Sequence, residues 1–156
     1  MCPRCGGDLT SEDGHLRCSA CGHRYWANSV PGVQGILERD GKVLLALRAL
    51  EPRRGFWDLP GGLSDEAEAP EETLRREFRE ETGLEVEPVE LFRIDIEPYG
   101  DRYVFSVTWI VRAEGEPVAA DDVAELRWFG RGELPDMAFP GQNEVLRAWA
   151  ARDEQP

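Results

Sequence analysis

The sequence predicts an α/β fold in which a mixed β-sheet lies between helices (α/β/α), preceded by a small cysteine-containing module. Three observations predict it. All four cysteines lie within the first 21 residues, strand-like apolar runs and turns follow from residue 33, and two segments have helical spacing. We expect residues 1–30 to form the first domain and residues 31–156 the second.

The chain opens with two C-x-x-C-G repeats. The first carries Cys2 and Cys5, the second carries Cys18 and Cys21, and twelve residues separate the repeats. The glycine after each pair lets the backbone fold beneath the sulfurs, so that all four thiolates can point at one ion. The spacing therefore predicts a zinc ribbon with a structural Zn²⁺. Disulfides or a redox motif are the alternatives, and His15 or His23 could replace one ligand.

After a connector at residues 25–31, whose aromatic residues we expect to pack the module on the main domain, the pattern predicts the remaining elements in order. They are a hairpin of strands 33–38 and 42–48 around Asp40-Gly41, a short strand 56–59, a helix between Pro70 and Gly83, a second hairpin of strands 91–97 and 102–113, a strand 125–129 and a closing helix 143–151. Alternation of strands and helices in this order predicts the mixed sheet.

The first predicted helix carries an acidic face. Glu77, Glu80 and Glu81 share one side, because helix positions three and four apart lie next to each other. Carboxylates this close repel one another unless a hard divalent cation lies among them. The face therefore predicts Mg²⁺ or Mn²⁺, and the alternative is a solvated acidic surface.

Residues 62–84 fit the pattern G-x5-E-x7-R-E-U-x-E-E-x-G-U without a gap, where U is a bulky aliphatic or aromatic residue. This pattern is the Nudix box, and the chain resembles the Nudix hydrolases from about residue 32 to residue 149. The resemblance implies the Nudix fold and a role for each matching position. Glu80 and Glu81 would bind the metal together with the carbonyl of Gly61 or Gly62. Glu77 would be a further metal ligand or the catalytic base. Arg76 would hold a box carboxylate in place, and Glu68 would be an outer metal ligand.

Two positions depart from the usual box. Ala67 stands where a glycine usually precedes the first box glutamate, and we expect an altered loop path there. Ala69 stands where a capping serine is common, which should cost the helix about 1 kcal/mol. Neither change removes a ligand.

Residues outside the box are candidates for binding substrate. The resemblance implies that Arg48 binds phosphate and that Phe139 and Asn143 touch the base, with Gly62 also on the substrate side. A solvated strand end, loop packing and helix capping are the respective alternatives for Arg48, Phe139 and Asn143.

A fourth metal-binding or catalytic carboxylate is also implied near the end of the chain. Glu125 occupies the corresponding position in some members of the family, although a structural acid there is equally compatible with the sequence. Asp121 and Asp122 are its rivals for this role.

Charge and composition limit the partners. The chain has 31 acidic and 18 basic residues, a net charge of -13, and no basic stripe, so nucleic acid is an unexpected partner. No apolar run reaches membrane-spanning length, and a cysteine directly after Met1 leaves no room for a signal peptide. We expect a cytosolic protein that acts on a small nucleotide, with a homodimer left open.

The resemblance implies a pyrophosphohydrolase that cleaves a nucleoside diphosphate derivative to AMP and a phosphorylated product. NADH-specific relatives carry Ser-Gln-Pro-Trp-Pro-Phe after the box, whereas residues 92–99 here read Phe-Arg-Ile-Asp-Ile-Glu-Pro-Tyr. ADP-ribose or FAD is therefore favoured. The alternatives are hydrolysis of free or damaged nucleoside triphosphates, and a non-enzymatic role in nucleotide sensing or in zinc-ribbon interactions.

Overall fold

The computed structural model describes residues 1–152, and residues 153–156 of the expected second domain lie outside the described residues. The elements in chain order are β1 (Leu9–Glu12), β2 (His15–Cys18), β3 (Arg24–Trp26), β4 (Val30–Arg39), β5 (Lys42–Arg48), β6 (Trp57–Asp58), β7 (Gly61–Leu63), α1 (Pro70–Thr82), β8 (Glu87–Tyr99), β9 (Arg102–Arg112), β10 (Val123–Gly130) and α2 (Pro140–Ala150).

The N-terminal module is a three-stranded antiparallel sheet of β1, β2 and β3. Its aromatic residues pack within the module, contrary to our expectation that they would join it to the main domain. The Trp26 ring lies 4.6 Å from the His15 ring and is 59% exposed. The Tyr25 hydroxyl lies 3.0 Å from the Cys2 sulfur.

The main sheet has the strand order β10-β5-β4-β9-β8, with β6 paired to β5 and β7 paired to β4. It is mixed, as predicted, because β4 and β9 run parallel while their other neighbours are antiparallel. The first hairpin turns at Asp40 and Gly41, whose φ angles of 50° and 72° are both left-handed, as a two-residue hairpin turn requires.

The two helices cover opposite faces of this sheet, because successive strand residues point to opposite sides. On one face, Leu74 and Phe78 of α1 pack in a cluster that includes Leu37 of β4. On the other face, Trp149 of α2 packs in a cluster that includes Ile36, the neighbour of Leu37. The predicted sandwich of helices around a mixed sheet is therefore confirmed.

Some boundaries differ from those predicted. Helix α1 ends at Thr82 with Gly83 in the left-handed conformation (φ 71°), as predicted, whereas α2 begins at Pro140, three residues early, since proline suits a first helical position. Strand β8 starts at Glu87 because β9 provides a partner that far. Strand β7, with its two glycines, was not predicted. Within residues 1–152, neither helix is long and apolar enough to cross a bilayer.

Candidate functional site

The acidic face of α1 lies against strand β7. The backbone N–H of Gly61 donates a hydrogen bond to Glu81 Oε2 at 3.0 Å. Glu77 packs directly on Gly62, where an added Cβ would overlap its carboxylate, and a Cβ on Gly61 would overlap the carbonyl of Val33. Both glycines are therefore required by close approach, and they bring the backbone next to two box carboxylates.

Arg76 connects the loop and helix parts of the box. Its Nε lies 2.8 Å from Glu68 Oε1, its Nη1 lies 2.7 Å from Glu77 and 3.3 Å from Glu80, and its Nη2 donates to the carbonyl of Leu63 at 3.1 Å. The guanidinium thus bonds three of the four box glutamates. It acts as their counterion inside the protein.

Glu68 is held by the loop around it. Its carboxylate receives hydrogen bonds from Arg76, from the Asp65 N–H at 3.0 Å and from the Thr73 hydroxyl at 2.8 Å. The Arg76 hydrogen bond, assisted by the Asp65 N–H, lowers the pKa of Glu68 to about 2. Glu68 therefore anchors the loop to α1 in this structure.

Glu81 accepts a hydrogen bond from a backbone N–H, and no arginine or lysine among residues 1–152 pairs with its carboxyl group. Burial raises the pKa of Glu81 to about 9, assisted by the nearby carboxylates of Asp58, Glu77 and Asp122 and opposed by the Gly61 N–H. Burial also raises the pKa of Glu77, although Arg76 opposes it. A group of carboxylates that disfavours its own ionisation is chemically suited to a divalent cation, which reverses that penalty.

The additional carboxylate near this cluster belongs to Asp122. It lines a small cleft with Glu81, Asp58 and Arg48. Glu125, our first choice from sequence, instead pairs with Arg127 at 2.6 Å. A β-bulge between Val123 and Glu125 shifts the register of β10 between the two candidate positions.

An open pocket adjoins the box glycines. The residues around it come from six strands, the loops between them and α2: Gly32, Val33, Gln34, Arg48, Asp58, Leu59, Gly61, Gly62, Leu63, Glu97, Pro98, Tyr99, Val104, Ser106, Phe139 and Gln142. Gly61 and Gly62 belong to both the pocket and the acidic cluster, so the two are continuous.

Arg48 lines this pocket and pairs with a buried acid. Its Nη1 lies 2.6 Å from Asp58 Oδ2, and its Nε donates to the Pro52 carbonyl at 2.7 Å. Burial raises the pKa of Asp58, and hydrogen bonds from Gln142 and Arg48 oppose that rise. The predicted phosphate-binding residue therefore lies at the pocket, with two of its nitrogens engaged by the protein.

The two residues expected to touch the base differ in position. Phe139 forms a pocket wall with Tyr99, their ring centroids 5.1 Å apart, and the Arg48 guanidinium lies 5.2 Å from the Phe139 ring centre. Asn143 instead accepts a hydrogen bond from the Met137 N–H at 3.1 Å, and it is not among the pocket residues. Asn143 thus secures the segment before α2.

The four cysteines of the N-terminal module converge. Their sulfurs all lie within 4.8 Å of one another, with Cys5 and Cys18 at 3.5 Å and Cys2 and Cys21 at 3.9 Å. Sulfurs arranged tetrahedrally around zinc, with Zn–S bonds of about 2.3 Å, lie about 3.8 Å apart. The sulfur positions therefore fit a tetrathiolate site, and neither histidine belongs to the group.

Residues 29–149 match the NUDIX domain family over most of the chain. This chain belongs to the Nudix family. As a Nudix hydrolase it is an enzyme, and relatives in the family are named as pyrophosphatases and diphosphatases. The box glutamates described above occupy the part of the fold that defines the family, and divalent metal ions are general in this family.

Curated Nudix relatives carry several activities in their names. An ADP-ribose pyrophosphatase of Methanocaldococcus jannaschii is 36% identical over 122 residues, which are 75% of this chain and 71% of that protein. Putative 8-oxo-dGTP diphosphatase 3 of Mycobacterium tuberculosis is 36% identical over 155 residues, covering 90% and 70%. The NAD-capped RNA hydrolase NudC of Vibrio atlanticus is 25% identical, covering 90% of this chain but 53% of its own length.

Solved structures share the Nudix fold. A NUDIX hydrolase from Nitrosomonas europaea superposes with a TM-score of 0.82 at 28% identity, and the match covers 96% of this chain and 89% of that chain. Coverage this high reaches into the N-terminal module. The superposition therefore includes most of the N-terminal module.

Sequence reasoning found the box and the cysteines but missed part of the pocket. Tyr99, Glu97 and Gln142 all line it. Their only signal in the sequence is that they flank the predicted strand end and helix start, where loops meet at one edge of a sheet. Nothing local marks Glu97 as a buried acid.

Proposed function

We propose that this Nudix hydrolase is a divalent-metal-dependent pyrophosphohydrolase that cleaves nucleoside diphosphate derivatives such as ADP-ribose or FAD. The products would be AMP and a phosphorylated fragment. The observation that carries the proposal is the continuity of the aromatic-walled pocket with the box carboxylates through Gly61 and Gly62. A base in that pocket would direct its diphosphate toward the acidic cluster.

Glu77, Glu80 and Glu81, with the carbonyl of Gly61, would hold the Mg²⁺ or Mn²⁺ ions. The supporting observation is the burial of Glu81 beside other carboxylates, which raises its pKa to about 9. The ion, when bound, neutralises the diphosphate and lowers the pKa of water for attack on phosphorus. Asp122 is a further ligand candidate because it lines the cleft beside Glu81. We keep Glu125 as a second candidate, to be tested against Asp122.

Two residues of the chain would prepare the reaction. Glu77 is placed against Gly62 and remains the candidate base that orients the attacking water. Arg48, held by Asp58, would contact the diphosphate from the pocket side. Positioning and charge neutralisation supply most of the rate in phosphoryl transfer. Arg76 would hold the carboxylates in place without touching substrate.

A nucleoside triphosphate, including an oxidised one, is the second candidate substrate. The relative named as a putative 8-oxo-dGTP diphosphatase matches 90% of this chain, whereas the one named as an ADP-ribose pyrophosphatase matches 75%. The reaction products distinguish the two substrate classes. A nucleoside triphosphate would give a monophosphate and pyrophosphate, whereas ADP-ribose would give two phosphorylated halves. A panel of ADP-ribose, FAD, NADH and nucleoside triphosphates hydrolysed in oxygen-18 water would identify the substrate and the attacked phosphorus.

The proposed catalytic role of the box is tested with one substitution and a control on the same helix. Glu81→Gln should lower kcat about a hundredfold or more, since it removes a metal-binding charge. Glu71→Gln, at the start of α1 and away from the pocket, should leave kcat within about twofold. Near-normal turnover by Glu81→Gln at limiting Mg²⁺ would contradict the assignment.

We further propose that the cysteine cluster holds a structural Zn²⁺. The Tyr25 hydroxyl hydrogen bond lowers the pKa of Cys2 to about 6, although burial opposes it, and this favours the thiolate that zinc requires. The cytosolic location and the homodimer remain predictions from the sequence. Zinc content measured on the purified protein should be one ion per chain.

A further inference from the structure

The pocket contains two buried hydrogen-bond acceptors without a partner. They are Oε1 of Glu97 and Oε1 of Gln142, and their residues are 8% and 4% exposed. Both residues line the pocket beside the box. Buried polar atoms almost always have partners, so an orphaned acceptor calls for an explanation.

The orientation of the Gln142 amide is fixed by its neighbours. Its Nε2 donates to the carboxylate of Asp58 and, at 2.8 Å, to Oε1 of Gln34. Gln34 in turn donates to the Thr108 hydroxyl at 2.9 Å. If the amide were turned over, the oxygen of Gln142 would face the oxygens of Asp58 and Gln34, and neither hydrogen bond could form. The oxygen of Gln142 must therefore remain the unpaired end of the amide.

Glu97 is likewise held without a cation. Its carboxylate lies under the first turn of α2, where a Cβ on Gly141 would lie 2.5 Å from Glu97 Cδ. Arg93, whose charge acts on Glu97, is itself paired with Asp95 at 2.7 Å and with Glu144 at 3.4 Å. Negative charge therefore surrounds Glu97, contributed by Asp58, Asp95 and Glu144. Arg93 is the main positive charge that offsets it. Burial, reinforced by these acids, raises the pKa of Glu97 to about 7.

The walls of the pocket indicate what kind of group would supply the missing donor. Tyr99 and Phe139 present aromatic rings, which favour a flat heterocycle over a sugar. Apolar Val33 and Val104 line the same pocket. Glu97 and Gln142 line the same pocket, so a heterocycle whose edge carries N–H donors is complementary to it.

We propose that Glu97 is the specificity-determining residue of the pocket and that it accepts a hydrogen bond from the exocyclic amino group of a purine base. This inference rests on the proposed function, because it assumes that the base of the substrate occupies the pocket. Adenine carries such a donor at C6 and guanine at C2. Hypoxanthine has neither group, and it places an oxygen where adenine has its amino group.

The test is the affinity of the protein for AMP, GMP and IMP, measured by calorimetry at pH 8. The wild type should bind AMP or GMP about thirtyfold more tightly than IMP, because a site built around a hydrogen bond rejects the analogue without it. Glu97→Gln, whose amide can both donate and accept, should bring that ratio within about threefold. Glu90→Gln, the same change on the same strand but at a solvent-exposed pair with Arg152, should keep the wild-type ratio.

A second measurement uses the wild type alone, in case the variant does not fold. Below pH 6, Glu97 is protonated and its carboxyl group becomes a hydrogen-bond donor. The ratio by which the protein prefers AMP or GMP to IMP should therefore be severalfold smaller than at pH 8. The phosphates of the three nucleotides titrate alike, so the ratio isolates the base. Equal affinities at pH 8, absence of AMP and GMP binding, or an unchanged ratio in a folded Glu97→Gln protein would overturn the proposal.

Hydrolysis distinguishes this inference from the proposed function. A preference for amino purines together with no turnover of ADP-ribose or FAD would reject the proposed substrates and leave the role of Glu97 standing. Turnover of ADP-ribose and of its hypoxanthine counterpart with equal kcat/KM would reject the role of Glu97 and leave the pyrophosphohydrolase standing.

Discussion

Replacing Glu97 with glutamine should stabilise the folded protein at alkaline pH. The ionised carboxylate of Glu97 is buried among other acids, and its pKa rises from 4.5 to about 7 on folding. Between these two values the folded state binds more protons than the unfolded state. The free energy of unfolding must therefore fall as pH rises from about 4.5 to about 7, and the whole penalty is present above pH 7.

The size of the effect follows from the same values. At about 1.4 kcal/mol per pKa unit, the difference between the two pKa values corresponds to at most about 3 kcal/mol. The carboxylate lies beside an open pocket, so water screens part of that penalty, and we expect Glu97→Gln to add about 1 to 2 kcal/mol at pH 8. At pH 4.5 the gain should nearly vanish, because Glu97 is then neutral in the folded protein.

Urea unfolding followed by tryptophan fluorescence, at pH 4.5 and pH 8 without added metal, would measure both quantities. Glu90→Gln is the matched control, because it changes the net charge equally. It breaks the ion pair in which Glu90 Oε1 lies 2.5 Å from Arg152 Nη2. The Glu90→Gln protein should be slightly less stable than the wild type at pH 8, because solvent-exposed ion pairs contribute little to stability. A Glu97→Gln protein less stable than the wild type at pH 8, or a gain equally large at pH 4.5, would refute the reasoning.

Two further predictions concern the loop and the N-terminal module. Ala67 has a φ of 63°, a left-handed conformation that costs an alanine about 1 kcal/mol or more. Ala67→Gly should therefore raise the free energy of unfolding by up to about 0.5 kcal/mol, once the larger entropy of glycine in the unfolded chain is subtracted. A decrease of more than about 1 kcal/mol in urea unfolding would contradict this. Cys18→Ser should release zinc and unfold the three-stranded sheet, because so small a module has little apolar core to stabilise it. The variant should still keep at least about a third of the wild-type kcat/KM. Zinc content, amide exchange and kinetics measured on one preparation would check this, and full loss of activity with an intact main domain would show that the module shapes the pocket.

The sequence predicted features that depend on neighbouring residues. Pro70 and Gly83 delimit α1 because each acts on its own backbone, and the box glutamates share a face because helical spacing is local. The hairpin at Asp40-Gly41 has the same origin. The Ala67 loop was expected to take an altered path, and instead alanine adopts a conformation that glycine favours.

Features that depend on distant pairing were not predictable. Strand β7 exists because β4 provides a backbone partner, and two glycines give no strand signal of their own. The bulge between Val123 and Glu125 of β10 is likewise invisible in the sequence, and a shift of one residue turns a strand's side chains to the other face. The burial of Glu97 depends on α2 lying across β8.

Arg76 has a consequence for the order in which the site assembles. A cluster of glutamates without a counterion would spread apart in the absence of metal, and each binding event would first have to gather them. Arg76 bonds Glu68, Glu77 and Glu80, so the loop and the helix are already drawn together before any ion arrives. Such preorganisation leaves little rearrangement for the ion to drive. Free metal and metal already bound to a nucleotide should therefore both find a site of nearly final shape.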